Sequence, residues 1–275
     1  KNNTTHKDRE AERSGWFECS CCPTNICRFL PSVPGYMYAQ QGNDVYVNLF
    51  ANSTALLPVN KKQVSIEQQN NYPWDGNLKF LINVKSPLSF NLLLRIPGWA
   101  TGEAIPSDLY RFESNKNNII EIKVNGQAVD YTMKNGYAVI GRLWKKNDVV
   151  EMFLPMNIQR VVSSEKLKNN IGLVSLQRGP LMYCAEWTDN NNRVSNLVLP
   201  ATENLQPEYR QELLNGVTVL KGNATAVITD SKQNTVSSVV QPFTAIPYYA
   251  WANRGKGEMA VWLPAQVKDV QIITQ

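Results

Sequence analysis

From Tyr36 onward the sequence is a succession of short apolar runs, rich in β-branched and aromatic residues and mostly alternating, separated by turn residues. Asp44-Val-Tyr-Val-Asn-Leu-Phe, Val64-Ser-Ile-Glu and Leu78-Lys-Phe-Leu-Ile-Asn-Val are the clearest. A period of two places successive side chains on opposite faces, so each run reads as a half-buried strand rather than a helix. Phe90–Ile96, Ile119–Val124, Tyr137–Ile140 and Asp148–Leu154 continue the series, and Asn125-Gly126 and Asn135-Gly136 are dipeptides that favour tight hairpins. A second series starts near Gln159 and runs through 171–177, 181–186, 217–220, 224–229, 243–250, 259–263 and 270–273. Strands at this spacing, with no repeat period, predict a mainly β chain of two antiparallel β-sandwiches, one over 36–156 and one over 157–275.

The remainder of the chain is small. Pro23 suits a first helical turn and Pro31 stops one, so a short helix is expected over Thr24–Leu30; a second is expected over Pro207–Asn215, ended by Gly216. With 275 residues and 43% hydrophobic side chains, there is enough apolar material for two cores. Charged residues are 19%, too few for a long helical bundle. The net charge of +5 is spread over single basic residues and pairs such as Lys61-Lys62 and Lys145-Lys146, which argues against a nucleic-acid partner. No apolar run approaches a bilayer-spanning length, so no membrane partner is expected. The polar stretch Lys1–Arg13 has no apolar centre and reads as a cut within a longer protein.

Four of the five cysteines, Cys19, Cys21, Cys22 and Cys27, fall within nine residues, while Cys184 stands alone. Disulfide frameworks spread their cysteines to close long loops, whereas thiolates at C-x-C-C spacing can converge on one soft cation such as Zn²⁺. A cysteine at a helix N-terminus also has its thiolate favoured by the helix dipole, which suits a nucleophile. Metal-binding or catalytic thiols, a disulfide, and inert packed thiols are the three readings of the local pattern. His6 is the sole histidine and lies in the polar tail, where a solvated side chain is expected, so Ser-His-Asp and Cys-His catalysis within the chain are disfavoured. Glu18 borders the cysteines. Glu67, Asp75, Glu113, Glu121 and Glu151 alternate with apolar residues and are expected to face solvent from sheets; no pair is placed for two-carboxylate glycoside chemistry. Trp74, Trp99, Trp144, Trp187, Trp251 and Trp262 suit a sugar-stacking platform or, as such residues more often do, sandwich cores.

Trp16-Phe17-x-Cys19-x-Cys21-Cys22-Pro23-x-Asn25-Ile26-x-Arg28 resembles the signature of the β-L-arabinofuranosidases of glycoside hydrolase family 127. Tyr46-Val-Asn-Leu-Phe, Leu94-Arg-Ile-Pro-Gly-Trp-Ala, Gln177-Arg-Gly-Pro-Leu-Met-Tyr-Cys-Ala-Glu, Ile246-Pro-Tyr-Tyr-Ala-Trp-Ala-Asn-Arg-Gly and Met259-Ala-Val-Trp-Leu-Pro fit it too, so the resemblance runs from Trp16 nearly to the end. It implies an (α/α)₆ catalytic barrel followed by two β-sandwiches, of which this chain holds the last barrel segment (1–35) and both sandwiches. It implies retaining hydrolysis of an arabinose-containing glycan, with Cys21 as nucleophile through a thioglycosyl intermediate. Cys21 and Cys22 are then two ligands of a Zn²⁺ whose other ligands, a Glu and a Cys, lie upstream with the general acid/base Glu; none of these three has a counterpart here. On this resemblance Cys19 and Cys27 are packed thiols, and the isolated chain is inactive. Trp16, Phe17, Ile26, Phe29 and Leu30 would have the rest of the barrel as packing partner; a sandwich face or a second copy of the chain, giving a homo-oligomer, would substitute. The alternative function is a non-catalytic β-sandwich module that braces the barrel or binds carbohydrate.

Overall fold

Along Asn77–Val84, Leu78, Phe80, Ile82 and Val84 are buried while Asn77 and Lys79 face solvent. That alternation makes the strand one side of a hydrophobic layer. In a computed structural model, which describes residue 13 and residues 19–114, 119–230 and 235–270, the described residues form two compact units. One contains residues 19–102 and 119–156; the other contains Arg13, residues 103–114 and residues 157–270. The stretch after Gly102, which lies within the first of the two blocks expected from sequence, thus belongs structurally with residues beyond 157.

The first unit is a sandwich of two sheets. Five strands follow the order Tyr38–Gln41, Asp44–Val47, Leu88–Arg95, Tyr137–Trp144, Thr132–Lys134, and six follow the order Ser53–Val59, Lys62–Asn70, Asn77–Val84, Asp148–Phe153, Glu121–Val124, Gln127–Ala128. Asp44–Val47 and Leu88–Arg95 run parallel; the other pairings in this unit are antiparallel. Val45, Val47, Leu92, Leu94, Ile140 and Trp144 from one sheet meet Val64, Ile66, Phe80, Ile82, Val150 and Met152 from the other in one core. Trp144 stacks on Phe90 with ring centroids 5.5 Å apart, and its Nε1 donates to Phe90 O at 3.0 Å, which satisfies its polar atom inside the core. Asn125-Gly126 and Asn135-Gly136 have positive φ at both residues and turn tight hairpins, the geometry their dipeptides favour.

The second unit is hydrogen-bonded as one ten-stranded network rather than two separate sheets. Its spine is a pair of long antiparallel strands, Val217–Asp230, expected from sequence as two shorter pieces, and Thr235–Pro247, of which only the end from Phe243 was expected. Leu181–Glu186, Leu173–Arg178, Ile158–Ser163 and Tyr110–Phe112 extend the network on one side, and Leu197–Val198 and Gln206–Arg210 pair with Val217–Asp230 on the other. Val174, Leu176, Tyr183, Leu197, Leu199, Leu220, Phe243 and Leu263 form its core.

Two helix expectations are corrected. Gln206–Arg210 is a strand, not the start of a helix over 207–215: it zips antiparallel onto Val217–Lys221, and Leu214, Asn215 and Gly216 all take positive φ, which no right-handed helix tolerates. The N-terminal helix begins at Cys21 rather than Thr24 and runs to Phe29, followed by a 3₁₀ turn at Leu30–Ser32 and a short helix at Pro34–Met37.

Candidate functional site

The helix Cys21–Phe29 places Cys21 and Cys22 in its first turn. Ser20 occupies the N-cap position but makes no side-chain cap, so the first backbone N–H groups, which have no intrahelical acceptor, are left to external groups. Pro23 has no N–H to satisfy. Thr24 closes the turn, donating from N at 3.1 Å and from Oγ1 at 2.8 Å to Ser20 O. One turn on, Arg28 Nη2 donates to Asn25 Oδ1 at 2.8 Å, which fixes the polar side of the helix.

Cys21 Sγ and Cys22 Sγ lie 3.8 Å apart. Two sulfurs each about 2.3 Å from a tetrahedral Zn²⁺ are about 3.8 Å from one another, so this pair has the spacing of one edge of such a site. It supplies half a coordination shell: among the described residues no three His, Cys, Asp or Glu side chains come together. All five cysteines are free thiols in this structure. Cys19 and Cys27, expected to pack in the complete protein, are exposed in this chain like Cys21 and Cys22, and the helix Cys21–Phe29 buries none of its residues against the described chain. Ile26, Phe29 and Leu30, at the end of the helix and the start of the turn after it, are 54%, 52% and 60% exposed, an apolar surface open to a partner. Trp16, Phe17, Glu18 and His6, also singled out from sequence, lie outside the described residues.

Three of the five carboxylates expected to face solvent from sheets do so, while Asp75 lies in the turn before Asn77–Val84, accepting from Asn77 N at 2.9 Å. Glu67, Glu121 and Glu151 point outward from the six-stranded sheet, and Glu113 pairs with Arg160 Nε at 2.9 Å in the second unit. Of the described tryptophans, Trp144 is core, Trp99 and Trp187 pack against the two cores, Trp262 and Trp251 stack on Tyr110 and Tyr248, and Trp74 is half-buried in the turn before Asn77–Val84. Cys184 is buried, and desolvation, reinforced by nearby Glu186, pushes its thiol up to about 12. It is a core side chain and not a nucleophile.

Two features escaped the sequence reading. A groove of about 420 Å³ opens on the outer face of the six-stranded sheet, lined by Gln69, Lys79, Glu121, Lys123, Glu151 and Phe153 among others. The signal was present: Phe153 is an aromatic at an outward position of an alternating strand. In the second unit, Arg254 is gripped by the carboxylates of Glu186 and Asp189, residues more than sixty positions away in sequence.

Comparison with known proteins bears on both units. Residues 44–156 match the profile described as "Beta-L-arabinofuranosidase, GH127 middle domain", and residues 158–264 match "Glycoside hydrolase family 127 C-terminal domain". The chain belongs to glycoside hydrolase family 127. A non-reducing end β-L-arabinofuranosidase of Bifidobacterium longum subsp. longum is 29% identical to it over 274 residues, covering 92% of this chain and 38% of that protein. A solved GH127 β-arabinofuranosidase superposes with a TM-score of 0.90 at 40% identity, over 94% of this chain and 41% of that one. A GH127 β-L-arabinofuranosidase from Geobacillus stearothermophilus T6 does so with 0.81 at 36% identity, over 93% of this chain and 39% of the other. The chain therefore spans about two fifths of the length of its family-127 relatives, and the mainly β, largely antiparallel fold expected from its sequence is the fold these relatives share with it.

Proposed function

We propose that this chain is the C-terminal part of a retaining glycoside hydrolase that releases L-arabinofuranosyl units, and that Cys21 is its nucleophile. The observation that carries the reading is the pair of sulfurs 3.8 Å apart in the first turn of an uncapped helix. The order of the matched domains, a middle domain followed by a C-terminal one, supports a catalytic region preceding them in the complete protein. Cys21 and Cys22 would hold two positions of a Zn²⁺, the remaining ligands coming from outside the chain. Bound there, the ion would keep the thiols deprotonated at neutral pH.

The chain's own contribution is then a positioned thiolate. Cys21 Sγ attacks the anomeric carbon, a C–S bond forms as the glycosidic C–O bond breaks, and the leaving oxygen takes a proton from an acid outside this chain. Water, giving a proton to the same group, displaces the sulfur and regenerates Cys21. Two inversions at one carbon give net retention. Cys22 acts through the metal site, and the helix N-terminus adds its unpaired N–H groups. The exposed Ile26, Phe29 and Leu30 fit the reading too, as a surface for the remainder of a catalytic barrel.

The test compares Cys21→Ser and Cys22→Ser in a protein that joins this chain to the catalytic barrel. With an aryl β-L-arabinofuranoside, Cys21→Ser is expected to abolish turnover, while Cys22→Ser lowers zinc content and turnover together. The unjoined 275-residue chain is expected to bind zinc weakly and to show no turnover. Full activity in Cys21→Ser would overturn the assignment.

A further inference from the structure

The groove on the outer face of the six-stranded sheet is built from four neighbouring strands in register. Asn77, Phe153 and Glu121 stand side by side across three of them, and Gln69, Lys79, Glu151 and Lys123 form the adjacent row across all four. All of these side chains point away from the core, since Leu78, Phe80, Val150, Met152 and Ile122 take the inward positions of the same strands. The cavity of about 420 Å³ lies within the size range of small-molecule sites.

Its chemistry is specific in three respects. Phe153 is 41% exposed, an aromatic ring set in an otherwise polar row. Lys79 and Glu151 face each other in the register, yet neither has an ion-pair or side-chain hydrogen-bond partner among the described residues. Lys123 reaches only Glu121, at 3.7 Å, and Gln69 Nε2 donates to Glu67, which leaves its carbonyl oxygen open. These unpaired groups are free to bond to a ligand. The two lysines and two glutamates also cancel, so the groove has donors and acceptors but no net charge to attract a phosphate, a uronate or a nucleic acid. It lies on a sheet face rather than an edge, which removes the main-chain ladder that captures extended peptides.

We propose that this groove is a binding subsite for a neutral oligosaccharide: one sugar ring lies with its C–H face on Phe153, and its hydroxyls bond to Lys79, Glu151, Gln69 and Asn77. The site is separate from the cysteine helix in its residues and does not depend on the catalytic reading. Its role would be to hold glycan, not to cleave it.

Calorimetric titration of the full 275-residue chain tests this with arabinotriose and cellotriose as neutral probes and trigalacturonate as the acidic one. At least one neutral trisaccharide is expected to bind, with an affinity that changes less than twofold between 50 and 500 mM NaCl. Phe153→Ala is expected to weaken binding at least tenfold and Glu151→Gln several-fold, each with an unchanged melting temperature. Should Phe153→Ala melt lower, Glu151→Gln and Lys79→Met carry the comparison, since both are exposed. Binding of cellotriose alone supports the groove while counting against arabinan as its ligand. No binding of either neutral probe at 10 mM, preference for trigalacturonate, or binding untouched by all three substitutions would overturn the proposal.

Discussion

Arg254 and Glu186 meet as a largely buried ion pair in the second unit, where the guanidinium donates from Nε to Glu186 Oε2 at 3.1 Å while Nη1 reaches Asp189 Oδ1 at 2.9 Å. Glu186 is 3% exposed, and its other oxygen accepts from Ala252 N at 2.9 Å. The carboxylate thus has both oxygens bonded, and the loop after Pro247, which carries Ala252 at a positive φ of 63°, is tied to the strand Leu181–Glu186.

Removing one partner leaves the other charge buried. Arg254→Ala is expected to lower the unfolding free energy by about 3–5 kcal/mol, the usual cost of orphaning a buried ion. Arg254→Lys keeps the charge but not the fork, and should lie between the two. Urea unfolding of the three chains measures the order; equal stability of Arg254→Ala and the unsubstituted chain would mean the pair is solvated.

Thiol chemistry separates the cysteines. Cys19, Cys21, Cys22 and Cys27 are exposed, whereas Cys184 is buried with its thiol pushed up to about 12. Ellman titration at pH 8 is expected to count four fast thiols, the fifth appearing only in denaturant. Five fast thiols would place Cys184 at the surface.

Alkaline stability follows from two phenols. Burial pushes Tyr72 and Tyr183 up to about 12 from 10.0. Below pH 10 both are protonated in the folded and unfolded chain alike. Between pH 10 and 12 the unfolded chain loses these protons and the folded chain keeps them, so stability falls as pH rises through that window. Tyr183→Phe should lower the steepness of the fall in the urea midpoint between pH 9 and 11.5. An unchanged slope would show that Tyr183 ionises in place.

A fourth expectation concerns where the chain can be cut. Tyr110–Phe112 pairs with Ile158–Ser163, Glu113 bonds Arg160 at 2.9 Å, and Tyr110 stacks on Trp262 with centroids 5.5 Å apart. A fragment of residues 157–275 loses all three and exposes Ile158–Ser163 as an edge. It is expected to self-associate and melt several degrees below the same fragment with residues 103–114 restored through a flexible linker. Sedimentation and thermal melts decide; identical behaviour would make the added strand dispensable.

Much of the architecture was legible because burial writes a period of two into strands such as Asn77–Val84 and because Asn-Gly dipeptides select one turn geometry. Gln206–Arg210 was not, since Pro207 and Glu208 carry no alternation and the strand exists only through its partner Val217–Lys221. Ser53–Val59 was missed for a similar reason: its burial rises only to half at most positions, as befits a sheet edge. Cys21 and Cys22 stood out by motif, but their 3.8 Å spacing required the helix to begin three residues earlier than Pro23 suggested. The clamp on Arg254 was invisible because nothing local couples it to Glu186.

The place of Tyr110–Phe112 also governs how the chain is made. On a ribosome this strand emerges about fifty residues before its partner, since Phe112 pairs with Val161. In that interval Glu121–Val124, Tyr137–Trp144 and Asp148–Phe153 appear and complete the other unit. The nascent chain must therefore carry the unpaired strand Tyr110–Phe112, with Phe112 not yet buried, while its neighbours fold, so the vectorial order of synthesis and the spatial order of the product are interleaved. Misassembly during translation, with Tyr110–Phe112 captured by the wrong edge, is the hazard this connectivity builds in.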